Sequence, residues 1–516
     1  MVKKIAQIYA LLIMAVSVSA QRYVGPVKSV LLRGPYLQSV TPASAVIRWR
    51  TDVLTRGIVH FGRSGDRLDL NVQDTVLCTE HKLLLEGLRP DTRYFYSIGS
   101  FKDTLQIGAN TYFMTLPQPG TEALYRIAAV GDCGNNSVNQ RDVRDALLKY
   151  LGGYYLNAWI LLGDNAYYTG RDAEFQSNFF NIYKDNLLPK FPLYPSPGNH
   201  DYYDGDSTEE KVQYTHQVAY FQNFTLPVNG EAGGVPSHNP AFYSFDLGNI
   251  HFLSLDSYGI EQDQYRIYDT LGPQAEWVKK DLEAYGHKGW VIAYWHHPPY
   301  TMGSHTSDQE SELVKIRENF IRILERYGVD LVICGHSHDY ERSQLIKGHY
   351  GPEKSWDSSS YVVEHSSGRW DGTPKSCPFL KDSANGYVGT VYIVSGSAGQ
   401  LGGKQPSWPH DALPYADVTH GGAGMLEIQG DRLDWKWICT DGEIRDHFTM
   451  FKNTRSPHIV TGRKGELVTL NAPFEGTWSN RAKGSSIEVK VSGDKVYTVK
   501  DASGCVEERF EVRAEK

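Results

Sequence analysis

Three features are scarce in this chain, and each absence excludes a class of protein. The six cysteines form no Cys-x-x-Cys pair, so neither a zinc knuckle nor a thiol redox motif is indicated. The net charge is -8 and no long run of one sign occurs, which argues against a nucleic-acid backbone as the main partner. Beyond the N-terminus, no apolar stretch approaches the length of a bilayer span.

The N-terminus has the pattern of an export signal. Lys3 and Lys4 precede the apolar run Ile5–Val18, and Ala20 closes a small-residue cleavage site. We expect cleavage after Ala20, giving residues 1–20 as the signal. An uncleaved anchor is the alternative, but the run is short for a bilayer. The mature protein is then expected in the periplasm, at the cell surface or secreted, without a transmembrane segment.

Residues 25–117 are predicted to form an all-β sandwich. The chain is 516 residues long, with 12% aromatic residues, 49 Gly and 24 Pro, which indicates several domains of short strands and ordered loops. Ala45–Arg50 alternates so that every second residue shares one face. The stretch Gly87–Tyr96 resembles a fibronectin type III domain, in which a tyrosine after the corner fixes the turn.

Residues 122–451 change to strands alternating with helices, which predicts an α/β domain with largely parallel pairing. Five apolar strands each end in a turn that carries Asp, Asn or His. These strand ends and turns are Val130 before Gly131-Asp132-Cys133-Gly134, Leu162 before Gly163-Asp164, Tyr194 before Gly198-Asn199-His200-Asp201, Trp295 before His296-His297-Pro298-Pro299, and Cys334 before Gly335-His336-Ser337-His338. Ligands of α/β sheets gather at the carboxyl ends of strands, so we expect these turns to form one site.

The donor types in these turns predict a binuclear metal site. Carboxylate, amide and imidazole groups bind first-row metals without a thiolate. Each residue alone would most simply be structural, but five concurring strand ends favour ligation. Two ions about 3.5 to 4 Å apart need a shared ligand, and a carboxylate is the simplest bridge. We predict that Asp164 is that bridge.

The five blocks, with Tyr167 three residues after Asp164, resemble those of the purple acid phosphatases within the metallophosphoesterases. The resemblance spans about Leu124 to Phe451. It implies a ferric ion held by Asp132, Asp164, Tyr167 and His338. It implies a second, divalent ion (Zn, Fe or Mn) held by Asp164, Asn199, His296 and His336. A phenolate such as that of Tyr167 is also a hard donor suited to a trivalent ion.

The sequence departs from the family pattern at one ligand block. The usual Val-x-x-His is here Ala293-Tyr294-Trp295-His296, and His297 follows directly. Either histidine could face the metal. The position of Pro298, two residues after His296, favours His296 as the ligand.

Several neighbouring residues are candidates for supporting roles. His200 follows Asn199, and His305 lies nine residues after His296, a spacing that resembles the substrate-side histidine of the plant enzymes. Either imidazole could donate a proton to the leaving alcohol. The residues expected to orient the ligands are Asp201, Asp339, Tyr340 and Glu341.

The remaining segments are predicted to be structural. Ser307–Glu310 has the spacing of a capping box, and the stripe Leu313, Ile316, Phe320 and Leu324 predicts a core-facing helix that ends at Gly328. Residues 346–385 are expected to form a loop region near the substrate entrance. Residues 456–516 are predicted to be a small β-sandwich, weakly similar to Ig-like repeats of bacterial surface proteins, for docking at a cell surface or for stability.

These observations predict an exported acid phosphatase. Small phosphomonoesters would be hydrolysed by in-line attack of a metal-bound hydroxide, with His200 or His305 assisting the leaving group. One alternative is an exported metallophosphoesterase that acts on phosphodiesters or nucleotides with two divalent ions. A second is a non-catalytic surface protein that binds partners through its sandwiches. The physiological substrate and the oligomeric state are not predicted.

Overall fold

The computed structural model describes residues 28–203, 209–286, 289–382, 386, 388–454 and 456–515. The predicted export signal, residues 1–20, lies outside these ranges. Within them, no helix has the length and apolar character needed to cross a membrane.

The N-terminal region is built of two facing sheets. Its strands are β1 Leu31–Gln38, β2 Ala45–Thr55, β3 Gly57–Gly62, β4 Leu70–Gln73, β5 Cys78–Leu85, β6 Arg93–Ser100, β7 Thr104–Gln106 and β8 Tyr112–Met114. One sheet has the order β1-β2-β5, and the other has β4-β3-β6, with β7 and β8 both pairing with β6. The hydroxyl of Tyr94 accepts a hydrogen bond from the backbone of Arg89 at 3.0 Å, which fixes the predicted corner.

The first part of strand β2, Ala45–Trp49, is buried on both faces rather than alternating. Trp49 packs inside the sandwich, but Arg48, which points the other way, is also buried. Its guanidinium donates to the carbonyl of Gln222 at 2.8 Å, and the hydroxyl of Tyr36 donates to the carbonyl of Asn223 at 2.8 Å. The sandwich therefore packs directly on the central region.

The central region contains two seven-stranded sheets. Its strands are β9 Tyr125–Val130, β10 Ala158–Leu162, β11 Leu193–Ser196, β12 Tyr243–Leu247, β13 Ile250–Ser254, β14 Trp290–Trp295, β15 Leu331–Cys334, β16 Tyr340–Arg342, β17 Leu345–Ile346, β18 Val362–Glu364, β19 Phe379–Lys381, β20 Val391–Ser395, β21 Tyr415–Asp417, β22 Gly422–Gln429, β23 Arg432–Cys439 and β24 Ile444–Lys452. The sheet orders are β11-β10-β9-β22-β23-β24-β19 and β12-β13-β14-β15-β20-β16-β21.

Most parallel pairing lies in the parts of these sheets that carry the predicted ligands, and the other parallel pair is the edge strand β19 with β24. Strands β9, β10 and β11 are parallel, as are β13, β14, β15 and β20. Strands β22 to β24 form an antiparallel extension joined by short turns. The expectation of largely parallel pairing thus holds for the centre of the second sheet and for one end of the first, whose middle strands are antiparallel.

Helices are few and cover the sheets. They are α1 Val138–Leu151, α2 Asp172–Glu174, α3 Asn181–Tyr183, α4 Glu209–Thr215, α5 Ala219–Asn223, α6 Pro273–Tyr285, α7 Ser311–Lys315, α8 Ile321–Arg326 and α9 Ser358–Tyr361. Two π-helical segments, Phe175–Phe180 and Ile316–Phe320, connect α2 to α3 and α7 to α8, and His200–Tyr202 and Glu353–Ser355 are short 3-10 helices.

The predicted capping box is wrong, although the predicted helix stripe is confirmed. Leu313, Ile316, Phe320 and Leu324 are fully buried. The helix begins at Ser311, not near Ser307. The hydroxyl of Ser307 instead accepts from the backbone of Thr301 at 3.1 Å and closes a loop.

The C-terminal strands form one five-stranded sheet around its own apolar core. They are β25 His458–Gly462, β26 Leu467–Trp478, β27 Lys483–Lys490, β28 Lys495–Asp501 and β29 Glu507–Ala514, in the order β25-β29-β28-β26-β27. Strand β26 pairs with β27 along most of its length and with β28 at its end, so it connects β27 to the rest of this C-terminal sheet.

The segment 346–385 divides between two neighbours. Its first part contacts the loop that carries His305, since the backbone of Glu353 donates to the carboxylate of Asp308 at 2.9 Å. Its second part contacts the C-terminal sheet instead. A disulfide joins Cys377 to Cys505, and the indole of Trp370 donates to Asp501 at 3.0 Å.

Candidate metal centre

Three of the predicted ligands sit at sharp backbone turns directly after their strands. Asp132, Asp164 and His336 have φ values of 55, 51 and 69°. This left-handed conformation is rare for residues with a side chain and is tolerated best where the turn is fixed by its surroundings. Gly198 shows how tight the packing is, because a Cβ there would lie 2.3 Å from the backbone nitrogen and carboxylate of Asp164.

One donor group is formed by Asp132, Tyr167 and His338. The Tyr167 hydroxyl lies 3.1 Å from Asp132 Oδ1 and 3.0 Å from His338 Nε2. His338 Nε2 is 3.6 Å from Asp132 Oδ1. Burial, and then the charges of Asp132 and Asp164, raise the pKa of Tyr167 well above its ordinary value. A phenolate at this position therefore needs a cation beside it.

A second donor group surrounds His296. Its Nε2 atom lies 3.0 Å from Asn199 Oδ1, 3.1 Å from His336 Nδ1 and 3.3 Å from Asp164 Oδ2. Burial lowers the pKa of His336 to about 3, which keeps this imidazole neutral and able to donate a lone pair.

Asp164 lies between the two groups. One carboxylate oxygen is 3.3 Å from His296 Nε2, and the other accepts from the backbone of His200 at 2.9 Å. Donor atoms of Asp132, Asp164 and His296 all lie within 4.8 Å of one another. This is the position that a carboxylate bridging two ions would occupy.

The hydrogen bonds around His296 indicate that this group is built for a cation. The Nδ1 atom of His296 donates to the carbonyl of Leu162 at 2.9 Å, so Nε2 is the ring nitrogen that faces the donor group. Nε2 lies against the carboxylate of Asp164 and the amide oxygen of Asn199, whose nitrogen donates to Tyr203 at 3.1 Å. Burial opposes a charge on His296, but Asp164 and Asp132 raise its pKa to about 9, so a positive charge is favoured at this position. Acceptors that face one another in a buried site need a positive charge between them, so these residues fit a metal ion.

The structure gives His296 and His297 different partners. While His296 faces Asp164 and Asn199, the Nδ1 atom of His297 lies 2.8 Å from the hydroxyl of Ser257, and its ring stacks on Tyr258 at 5.6 Å. His297 stays beside the site, because one of its ring nitrogens lies within 4.8 Å of ring nitrogens of His296 and His336.

The two candidate proton donors lie on opposite sides of the site. His200 packs against Tyr167 with ring centroids 4.5 Å apart, and its Nδ1 donates to the carbonyl of Tyr168 at 2.7 Å. His305 packs against His336 at 3.7 Å, and its Nδ1 donates to Glu310 at 3.0 Å. Both imidazoles remain partly exposed, at 25% and 33%.

The residues expected to orient the ligands behave differently from one another. Asp201 accepts from the backbones of Gly198 and Asn165 at 2.8 and 3.0 Å, so it joins the second and third ligand turns. Burial, and then the charge of Asp164, raise the pKa of Asp201 to about 7. Tyr340, in contrast, points away from the site and donates to Asp446 at 2.8 Å, so the expectation for Tyr340 is wrong.

Asp339 and Glu341 lie behind the loop that carries His305. Both are fully buried, and Glu341 accepts from the hydroxyl of Thr301 at 2.8 Å. Burial raises the pKa of Glu341 to about 7. These two carboxyl groups therefore support the loop and lie outside the donor groups.

The sequence reasoning missed two residues that contact the predicted ligands. The carboxylate of Glu310 lies 3.3 Å from His336 Nε2 in addition to its bonds with His305. The side-chain amide of Gln400 lies 3.2 Å from His338 Nδ1. Glu310 was assigned to the capping box, and Gln400 lies in a loop far along the chain from every ligand block.

Two layered sheets carry carboxylate, amide and imidazole donors at their strand ends. This arrangement is typical of calcineurin-like phosphoesterases, and residues 125–340 match that family. Purple acid phosphatase 15 of Arabidopsis thaliana is 31% identical over 392 residues, which cover 69% of this chain and 67% of that protein. Human acid phosphatase type 7 is 25% identical over 69% of this chain and 75% of its own length. This chain belongs to the purple acid phosphatase family, and it is a metal-dependent phosphatase.

The solved structures agree on the fold. Purple acid phosphatase PPD1 from yellow lupin seeds superimposes with a TM-score of 0.61 at 17% sequence identity, covering 84% of this chain and 76% of that one. The family implies a binuclear metal centre, and the two donor groups around Asp164 are where the described residues offer one.

Proposed function

We propose that this protein is an exported acid phosphatase that hydrolyses small phosphomonoesters at a centre of one ferric and one divalent ion, the latter Zn, Fe or Mn. The observation that carries the proposal is the position of Asp164 between two donor groups of different chemistry. The group with the phenol of Tyr167 suits a trivalent ion, and the group with Asn199 and two imidazoles suits a divalent ion.

In this proposal Asp132, Asp164, Tyr167 and His338 hold the ferric ion, and Asp164, Asn199, His296 and His336 hold the divalent ion. When bound, the two ions would neutralise the charge of a phosphate group and acidify water. The protein supplies the geometry. Asp201 fixes the turns that present Asp164 and Asn199, and the carbonyl of Leu162 orients His296.

His200 and His305 are proposed to act on the substrate from opposite sides. Each has its Nδ1 proton engaged, by Tyr168 and by Glu310, which leaves Nε2 for the substrate, and His200 Nε2 lies 3.9 Å from Asp164 Oδ2. A protonated Nε2 can hold a phosphate oxygen or give its proton to the departing alkoxide. Imidazolium forms on the acid side of neutrality, which supports activity at acid pH.

Export is supported by two independent features. The first is the N-terminal signal pattern, which lies outside the described residues. The second is the disulfide between Cys377 and Cys505, because such bonds persist in oxidising compartments.

We propose that the chain has three domains, residues 25–117, 122–451 and 456–516. The first would be of the fibronectin type III kind, and the last would be a stability or docking module.

The test is metal analysis of the purified protein combined with a visible spectrum and a substrate panel across pH. We expect iron, a tyrosinate-to-iron absorption band, and a preference for phosphomonoesters at acid pH. Tyr167→Phe should abolish the band, and Asp164→Asn should lower the content of both metals. A colourless, iron-free but active enzyme would favour phosphodiester or nucleotide hydrolysis with two divalent ions. Unchanged metal content in Asp164→Asn would contradict the assigned centre.

A further inference from the structure

A second set of metal-ligand side chains lies in the N-terminal sandwich. Asp74 follows β4, Cys78 begins β5 and His81 lies within β5, so an Asp-x-x-x-Cys-x-x-His spacing brings all three to the connection between these two strands, which belong to different sheets. His81 Nδ1 is 2.5 Å from Asp74 Oδ2, and Cys78 Sγ is 3.5 Å from each of these atoms. None of the three belongs to the phosphatase site.

The hydrogen bonds of His81 fix which ring nitrogen faces this cluster with a lone pair. The hydroxyl of Thr51 donates to the carbonyl of Val53 at 2.9 Å, so its oxygen is left to accept from His81 Nε2 at 3.0 Å. Nε2 therefore carries the ring hydrogen. Nδ1 then faces the carboxylate of Asp74, and two acceptors at that distance require a positive charge between them. A proton supplies that charge in the absence of metal.

The three donors are held in place before any ion binds. His81 is fully buried and stacks on Trp49 with ring centroids 4.6 Å apart. The backbone of Gly57 donates to Asp74 Oδ2 at 3.0 Å, and a Cβ at position 57 would lie 2.5 Å from His81 Nδ1. Cys78 is half-buried and the side chain of Asp74 is 12% exposed, so the cluster opens to solvent on one side.

We propose that Asp74, Cys78 and His81 bind one zinc ion or a similar borderline divalent cation, with water in the fourth position. Zinc accepts thiolate, imidazole and carboxylate together, at bond lengths that place tetrahedral ligands about 3.5 Å apart. The distances from Cys78 Sγ to Asp74 Oδ2 and to His81 Nδ1 already have this value. Binding would widen the gap between Nδ1 and Oδ2 by about 1 Å, and the proton between them and the thiol proton would pass to solvent. The bound ion would join β4 to β5.

The test uses the full-length enzyme with its phosphatase metals already loaded, and zinc or cobalt salt alone as the probe. We expect about one further equivalent of zinc per chain. Cobalt should give a thiolate-to-metal absorption band, which the sulfur-free phosphatase donors cannot produce. In native protein, zinc should slow alkylation of Cys78 by about tenfold or more, because coordination removes the free thiolate.

Two variants and two controls separate this site from adventitious binding. Cys78→Ser should lose the cobalt band and the additional zinc, and Asp74→Asn should weaken both, while phosphatase activity stays at the wild-type level. Cys439→Ala, which removes a buried free thiol elsewhere, and Asp66→Asn, which removes an exposed carboxylate of the same domain, should leave the band unchanged. Equal zinc content in wild type and Cys78→Ser, together with alkylation of Cys78 that zinc does not slow, would overturn the proposal.

Discussion

Glu310 gives the sharpest test of how the phosphatase site is supported. Both of its carboxylate oxygens lie 3.0 Å from His305 Nδ1, and one of them is also 3.3 Å from His336 Nε2. The carboxylate therefore fixes the ring orientation of a proposed proton donor and of a proposed metal ligand. Carboxylates that hold metal-binding histidines in this way tune both geometry and basicity.

Glu310→Gln removes the charge but keeps the size of the side chain. A hydrogen bond to a charged group contributes about 1.5–3 kcal/mol, and loss of such a partner typically lowers activity or metal affinity about 10- to 100-fold. We expect a fall of that size in kcat/KM for a phosphomonoester. Glu318→Gln, at an exposed position of the helical segment that follows Glu310, is the matched control and should change kcat/KM less than about twofold.

The two contacts of Glu310 can be separated by a double-mutant cycle and metal analysis. If Glu310 acts by orienting His305, the double variant with His305→Ala should be no less active than His305→Ala alone, and both metals should be retained. If it acts through His336, the content of the divalent metal should fall. Wild-type kcat/KM and full metal content in Glu310→Gln would refute the role of the carboxylate altogether.

Two further predictions concern stability. His251 lies 2.7 and 2.6 Å from the carboxylates of Asp246 and Asp281; burial opposes its charge, but both carboxylates raise the pKa of His251 from 6.5 to about 9. Because the folded-state pKa is raised, the ion pairs of His251 add at most about 3 kcal/mol to the free energy of unfolding; this contribution is complete below about pH 6.5 and is lost as the pH rises to about 9. In His251→Gln the thermal midpoint should therefore fall less over that pH range than in the wild type. An equal fall in both proteins would disprove the prediction. Cys505→Ala removes the disulfide to Cys377, which closes a loop of 128 residues. Its loss should lower the free energy of unfolding by up to about 5 kcal/mol, because the unfolded chain gains entropy. Calorimetry should show a lower midpoint for the C-terminal transition with unchanged phosphatase activity, and an unchanged midpoint would mean that the bridge adds nothing to the packing.

The site was predictable from sequence to the extent that it follows from strand ends. A parallel strand that stops in a Gly-Asp or Gly-His turn must present that side chain at the sheet edge, so Asp132, Asp164 and His336 could be placed together without coordinates. The sequence favours His296 over His297 through Pro298, and the structure adds the contact of His297 with Ser257, in the loop after β13, which no local pattern predicts.

Long-range contacts account for what the sequence did not predict. Glu310 satisfies the spacing of a capping box, and only the folded loop shows that its carboxylate turns to His305 and His336 instead. Arg48 alternates as a solvent-facing residue of β2, yet it is buried because the sandwich packs on residues near Gln222. Local pattern does not predict the contact of Glu310 with His336, 26 residues away, or that of Arg48 with Gln222, 174 residues away.

Asp164 and Tyr167 are close in sequence but are positioned by different parts of the fold. Asp164 follows a strand and is held by its backbone turn and by Gly198. Tyr167 is placed by a loop: its backbone nitrogen donates to the carbonyl of Gly134 at 2.7 Å, and its carbonyl accepts from Asn178 at 2.7 Å. The carboxylate proposed as the bridge thus depends on the strand ends of the sheets. The phenol that would select a ferric ion depends on a loop and one helix, so metal identity can change with that loop while the bridge between the two ions remains.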